Sequence, residues 1–254
     1  MKVYFVGAGP GDPELITVKG RRLLEEADVV IYAGSLVNPD ILKYARPEAR
    51  LYNSASLTLE EVLAIIREAV SEGKRVVRLH TGDPSLYGAI QEQMDALESL
   101  GIPYEIVPGV SSFAAAAAAV KREFTLPGVS QTVILTRRAG RTPVPAEENL
   151  RALSRHRASL CLFLSSRDLE AATAELALGY GNETPAAVVY KASWPEERVI
   201  YGTLGNIAAK SWEAGIERTA LLLVGDFLAG PYRRSCLYNP AFSHGYRKGE
   251  KSGG

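Results

Sequence analysis

The 254-residue chain has two cysteines, Cys161 and Cys236, and no Cys-x-x-Cys pair. That rules out a disulfide framework and a cysteine-based zinc site. Its three histidines, His80, His156 and His244, are isolated from one another and from any acidic or thiol array. No protein-bound metal is therefore expected. Long apolar runs are missing too. The longest run of small apolar residues, Ala114 to Val120, is far shorter than the roughly 20 residues of a membrane-spanning helix. Charge of one sign is not in excess, with 29 Lys+Arg against 29 Asp+Glu. This balance argues against a nucleic-acid partner held by phosphate neutralisation. The zero is a sum of unequal parts. Five basic residues and one acid lie beyond Gly230, which leaves 24 basic and 28 acidic groups in residues 1–230, a net −4. The amino terminus, Met1 to Gly7, lacks a signal-peptide apolar region and reads as a first strand. A reducing, cytoplasmic location is the expectation.

What is present is an alternation. Strand-like runs at Val3–Val6, Val29–Tyr32, Arg75–Leu79 and Tyr104–Val107 are separated by helix-periodic stretches at 15–27, 59–70 and 86–100. In the second of these, apolar residues fall at 59, 62, 63, 66 and 70, a helix spacing. The βα alternation predicts a mainly parallel sheet with helices on its faces. The second half has predicted strands at 132–136, 160–164, 187–190, 199–202 and 220–224, with helices at 146–154, 168–178 and 204–212. Trp194-Pro195-Glu196-Glu197 reads as a hairpin turn, so the second sheet is expected to be mixed. The fold class is thus α/β with two α/β domains, 1–114 and 115–236, followed by a polar, basic, flexible tail at 237–254.

Four stretches punctuate this pattern. Gly7-Ala8-Gly9-Pro10-Gly11-Asp12-Pro13 follows the first strand. It fails the dinucleotide fingerprint at Asp12 and lacks the Lys-Ser/Thr of a P-loop, which disfavours NAD and nucleotide phosphate. A tight turn and a ligand loop both fit it. Thr81-Gly82-Asp83-Pro84-Ser85-Leu86 follows another strand. There Asp83 reads as a helix N-cap with Pro84 at the first helical position, and Thr81-Gly82 stands where open α/β sheets bind ligands. Pro108-Gly109-Val110-Ser111-Ser112 precedes six alanines, and either serine can cap that helix. Arg137-Arg138-Ala139-Gly140-Arg141 lies in a loop pinned by Pro143 and Pro145. It is either a solvated surface loop or a set of forks for carboxylates. His80, next to Thr81, is either a satisfied structural histidine or a residue lining the site. Cys161, within an apolar strand, reads as core.

Taken together, the first three motifs, in this order and spacing, resemble the tetrapyrrole (corrin/porphyrin) methyltransferases over about residues 2–228. Tyr32-Ala33-Gly34-Ser35-Leu36-Val37-Asn38, and the run from Leu126 to Thr132 continuing to Pro145, resemble the members that methylate carbon 11 of precorrin-4 or cobalt-precorrin-4 in cobalamin biosynthesis. The resemblance implies S-adenosylmethionine (SAM) in a cleft between the two domains, with S-adenosylhomocysteine as product. It implies Pro10 near the cofactor, and Thr81, Gly82, Asp83 and Leu86 around its methionine part. Ser111 and Ser112 match the next contact loop, Phe163, Leu164 and Ser165 an inter-domain contact, and Ala192, Thr219 and Ala220 the adenine surroundings. The substrate-side candidates are Arg137, Arg138, Arg141, Ser35 and His80. The implied assembly is a homodimer acting on a small-molecule tetrapyrrole.

The chain departs from family members that methylate uroporphyrinogen. They carry an acid where this chain has Ala33 and a lysine where it has Ala55, which makes that substrate, or another precorrin, the alternative. No general base stands out. Two further readings are methylation of a macromolecule, for which ribosomal RNA would favour a net basic body, and a non-catalytic SAM-binding regulatory module. The arginine loop beside a full set of cofactor turns argues against the second.

Overall fold

A computed structural model describes residues 1–34 and 36–249. It divides into two units. One contains Met1–Ala119 together with Tyr190–Arg198, and the other contains Val120–Val189 and the chain from Val199 onward.

The first unit is built on a five-stranded parallel sheet. Along the chain come β1 (Val3–Gly7), α1 (Val18–Glu25), β2 (Val29–Tyr32), β3 (Arg50–Asn53), α2 (Leu59–Ser71), β4 (Val76–His80), α3 (Gln91–Ser99), β5 (Tyr104–Val107) and α4 (Ser112–Val120). The strand order is β3-β2-β4-β1-β5, and all four neighbouring pairs run parallel. Strands covered on both faces become near-continuous apolar runs, as β1, β2 and β4 are here. Val6, Val30, Val77 and Leu79 point to the face packed by α1 residues Leu23 and Leu24. Phe5, Ile31 and Val76 point to the opposite face, against Val62 and Ile66 of α2 and Met94 and Leu97 of α3. Helix α2 starts in a capping box. Glu61 N–H donates to Thr58 Oγ1 at 3.3 Å, and Thr58 N–H donates to Glu61 Oε2 at 2.7 Å.

This order contains a switch point. The chain leaves β1 toward β2 by way of α1 on one face. It leaves β4 toward β5 by way of α3 on the other. The crevice outside the carboxyl ends of such a strand pair is where open α/β sheets receive ligands. The two loops flanking it are those after β1 and β4, the first two motifs of the sequence.

Two elements differ from the sequence reading. Strand β3 was not anticipated. It pairs with β2 at the sheet's outer edge, and its residues alternate in exposure rather than forming an apolar run. Helix α3 begins at Gln91, not near Leu86. Tyr87 and Ala89 adopt φ of 56° and 48°, left-handed conformations that an α-helix does not accept.

The second unit is built on β6 (Val133–Arg137), β7 (Ser159–Phe163), β8 (Pro185–Tyr190), β9 (Arg198–Thr203) and β10 (Ala220–Val224), ordered β6-β7-β10-β8-β9. β6 and β7 are parallel, whereas β7 and β10 are antiparallel, so the sheet is mixed. Helices α5 (Leu150–Ser154), α6 (Leu169–Tyr180) and α7 (Ile207–Glu213) complete it. Cys161 is wholly buried in β7, and burial pushes its thiol pKa up, as befits a core residue. Among the described residues, no helix is long and apolar enough to cross a membrane.

Candidate active site

In the first unit the three glycine-containing turns meet backbone to backbone. Ala8 N–H donates to His80 O at 2.7 Å, Gly9 N–H to Gly82 O at 3.3 Å, and Gly82 N–H to Gly9 O at 2.8 Å. A Cβ on Gly7 would lie 2.6 Å from both Gly109 Cα and Gly82 O. Gly9 and Gly82 hold φ of +80° and +61°, which glycine adopts without steric cost. A Cβ on Gly82 would stand 3.5 Å from Ser111 Cα and 3.6 Å from Ser112 N, so the second and third motifs are neighbours. The fold thus brings Pro10, Thr81, Gly82, Asp83, Ser111 and Ser112 to one sheet edge. No hydrogen bond of the Thr81, Ser111 or Ser112 hydroxyls is found among the described residues, although Ser111 is buried.

Asp83 does not cap a helix as its sequence context suggests. Its carboxylate accepts Ser85 N–H at 2.8 Å, the Ser85 hydroxyl, and Gly109 N–H at 2.8 Å. It therefore ties the loop after β4 to the loop after β5. Burial pushes its pKa up, but the hydrogen bonds from Ser85 and Gly109 outweigh that and hold it below the usual carboxylate value. Leu86, in the turn that follows, is half-buried.

Tyr190–Arg198, joining β8 to β9, lies with the first unit and covers the Gly7–Pro13 loop. Ser193 Oγ accepts Asp12 N–H at 3.0 Å, and Trp194 Nε1–H donates to Pro10 O at 2.9 Å. Asn38 Nδ2 donates to Gly11 O at 2.9 Å from another segment. Ala192, beside Ser193, is buried, and Lys191 and Ser193 flank it with φ of 46° and 68°. Sequence reasoning took 194–197 only as a hairpin turn and passed over Asn38, Ser193 and Trp194 as holders of the loop. Their contacts span 27 to 184 residues of sequence, beyond the reach of any local pattern.

His80 is 3% exposed, and its Nε2 has no hydrogen-bond partner among the described residues. It shares its sheet face with Arg78, also buried, whose guanidinium donates to Gln93 Oε1 and Ile31 O at 3.2 Å each. Burial and the Arg78 charge lower the His80 pKa to about 3, and burial lowers that of Arg78 to about 10. At neutral pH His80 is therefore a neutral core imidazole and Arg78 a charged guanidinium. Ser35 lies outside the described residues.

In the second unit, the carboxyl ends of the parallel strands β6 and β7 and the amino end of antiparallel β10 share one edge. Arg137, Arg138, Phe163, Leu164, Thr219 and Ala220 collect there. Leu164 is 63% exposed, and Leu164 and Thr219 hold φ of 53° and 56°. Unusual backbone of this kind concentrates at functional sites. The arginines divide. The Arg137 guanidinium donates to Thr142 O and Pro143 O at 3.2 and 2.6 Å, bracing its own loop. Arg138 Nε donates to Glu175 Oε1 at 2.8 Å, its Nη1 lies 3.7 Å from Asp168 Oδ2, and its N–H donates to Ser165 Oγ at 3.0 Å. Arg141 is exposed and makes no ion pair among the described residues. Of the three forks expected to serve a substrate, two are engaged within the unit.

The family model for the Tetrapyrrole (Corrin/Porphyrin) Methylases matches residues 2–208. The chain belongs to this family. A cobalt-precorrin-4 C(11)-methyltransferase of Methanocaldococcus jannaschii is 54% identical over 252 residues, spanning 98% of this chain and 97% of the relative. The X-ray structure of a cobalt precorrin-4 methyltransferase matches with a TM-score of 0.88 and 47% identity, covering 90% of this chain and 96% of that one. A uroporphyrin-III C-methyl transferase of Thermus thermophilus, solved with S-adenyl homocysteine, matches with a TM-score of 0.75 and 30% identity, covering 90% and 99%. Other relatives at 47 and 50% identity are named for precorrin-4 with cobalt and without it. The tetrapyrrole methylase fold expected from the motifs, one parallel and one mixed α/β sheet, is the fold found. The enzyme class expected from them is that of the family.

Proposed function

We propose that this chain transfers the methyl group of SAM to carbon 11 of precorrin-4 or cobalt-precorrin-4, releasing S-adenosylhomocysteine. The observation that carries the reading is the 54% identity, across nearly the whole chain, to a relative named for that reaction. Ala33 and Ala55 weigh against uroporphyrinogen as substrate.

When bound, SAM supplies a methyl already activated on a sulfonium, so the protein's task is proximity and alignment. The residues present suit such a ligand. Hydroxyls at Thr81, Ser111 and Ser112, for which no hydrogen bond is found among the described residues, would hold its polar methionine end, and Gly82 allows close approach to main chain. Pro10, Leu86 and Ala192 complete the first unit's contribution. In the second unit, Phe163, Leu164, Thr219 and Ala220 are the residues that the family resemblance assigns to SAM. Asp83, ionised and bound to Gly109 N–H, shapes the loops and does not take up the substrate proton.

Arg141 binds an acetate or propionate of the macrocycle, and Arg137 and Arg138 hold its loop in place. His80, in the core, supports the strand end from behind. The reading includes a cytoplasmic homodimer that binds no nucleic acid, the last supported by the net −4 of residues 1–230.

Kinetics on both substrates test this. Wild-type protein should consume SAM with precorrin-4 or its cobalt form and not with uroporphyrinogen III; the reverse preference would refute it. Arg141→Ala should raise the KM for the tetrapyrrole about 10- to 100-fold, the value of a lost charge-assisted hydrogen bond, and leave that for SAM unchanged. Arg138→Ala should instead lower stability by about 1 kcal/mol, as expected for a half-exposed ion pair. Equal loss of both ligands in Arg141→Ala would remove its assigned role.

A further inference from the structure

We infer that Trp194 is a positioning residue for the methyl donor, holding the Pro10–Gly11–Asp12 backbone in the shape that receives it. The inference rests on the reading of that loop as part of the SAM site. Three consecutive residues of the loop, and both peptide groups between them, are fixed by side chains from elsewhere in the sequence. The Pro10 carbonyl accepts the Trp194 indole N–H at 2.9 Å, the Gly11 carbonyl accepts from Asn38 at 2.9 Å, and Asp12 N–H donates to Ser193 at 3.0 Å.

Gly11 has no side chain because the indole takes its place. The three atoms nearest a Cβ there are all Trp194 atoms, with Cγ at 2.8 Å the farthest. The indole is itself held. The Lys191 ammonium sits 4.8 Å from the ring centroid and pairs with Glu196 at 3.1 Å, and Ser193 N–H donates to Glu197 Oε2 at 2.6 Å. A cation over an indole face is attractive. Lys191 and Ser193 hold left-handed φ values at the same tip. A strained turn braced by its own ion pair and hydrogen bond, and aiming two hydrogen bonds at one glycine loop, is the mark of preorganisation rather than of packing alone.

The loop is therefore rigid before the donor arrives: its Asp12 N–H is engaged, and its Pro10 and Gly11 carbonyls each already accept one hydrogen bond. The donor meets the loop's surface, and its polar contacts fall to the turns after β4 and β5. Loss of the indole hydrogen bond releases the loop, so donor affinity falls while the chemistry, once the site is saturated, does not.

The test uses the full chain and SAM itself. Equilibrium dialysis first establishes binding to the wild type; its absence would refute both the functional reading and this inference before any variant is made. Trp194→Phe keeps a ring and removes the indole N–H. It should raise the SAM Kd and KM about tenfold, with kcat at saturating SAM within about twofold of wild type. Gly11→Ala should weaken SAM binding at least as much. Adding Trp194→Leu to it should restore part of the loss, because the obstructing atoms belong to that side chain. A folded Trp194→Phe protein with unchanged SAM affinity would overturn the inference, as would a double variant weakened by the sum of its parts.

If Trp194→Phe does not fold, Trp212→Phe decides. It leaves Trp194 as the only tryptophan and removes an indole that is 72% exposed. Its emission should shift on titration with SAM, at the concentrations at which dialysis shows saturation. Unchanged emission across that range would overturn the inference.

Discussion

Gly109→Ala is expected to destabilise the protein by more than about 3 kcal/mol, lowering Tm by roughly 6–12 °C, and to abolish SAM binding at temperatures where the chain is still folded. A Cβ at that position would fall on the Gly82 carbonyl oxygen and lie 2.8 Å from Gly7 Cα and 3.1 Å from Gly7 C. All three contacts are main chain, so no rotamer can yield. The obstructing backbones cannot withdraw without cost either. Gly82 is bound in both directions to Gly9, Ala8 is bound to His80 O, and Gly109 N–H is held by Asp83. Accommodating one methyl group means spreading the carboxyl ends of β1, β4 and β5, the place where the proposed donor site is built. Gly140→Ala is the matched control, since none of the described residues lies within 4 Å of its Cβ. It should move Tm by less than about 1 °C. Comparable melting of the two variants in differential scanning calorimetry would contradict the account.

A second large effect is expected from acid. The His80 imidazole has a pKa near 3 in the folded protein against 6.5 for the free side chain, because it is buried beside the Arg78 guanidinium. The folded state therefore binds fewer protons than the unfolded state between these values, and stability falls as pH drops through that window. At or above pH 6.5 the contribution is intact. At pH 5 about 2 kcal/mol should be lost, and near pH 3 about 4–5 kcal/mol, at 1.36 kcal/mol per pKa unit. Carboxylates such as Asp83 and Glu105, whose pKa values are held low by their partners, add to the loss at the lower end. The His80 share is isolated by His80→Gln, which does not titrate. Urea midpoints of the two proteins should converge between pH 7 and pH 5, with wild type losing about 2 kcal/mol more. Parallel pH profiles would show that His80 is not the neutral, buried group described.

Much of this was legible in the sequence, for a definite reason. The central strands β1, β2 and β4 are covered on both faces, and burial on both faces writes a continuous apolar run. Helix α2 is amphipathic and carries its cap, so both its period and its start were readable. The glycine turns were readable because glycine is required where backbones touch and where φ is positive, and both conditions hold at Gly9 and Gly82.

What escaped was set by contacts that leave no local pattern. β3 is an edge strand of mixed polarity. Asp83 and Pro84 carry the signature of a helix start, but the Asp83 carboxylate is drawn off to Gly109, 26 residues away, and the helix begins at Gln91. The three arginines looked equivalent as a charge cluster. Glu175, on α6, and the loop's own carbonyls distinguish Arg138 and Arg137 from Arg141. Trp194 read as a turn residue, and its role is written only in a contact 184 positions away.

The most direct test of the central claim is transfer of a carbon-13-labelled methyl group from SAM to precorrin-4, in its cobalt-loaded and cobalt-free forms, with the product mapped by NMR. One labelled methyl per macrocycle is expected, on carbon 11, with one S-adenosylhomocysteine formed for each. Label on any other ring carbon, or SAM binding with no transfer to either form, would contradict it.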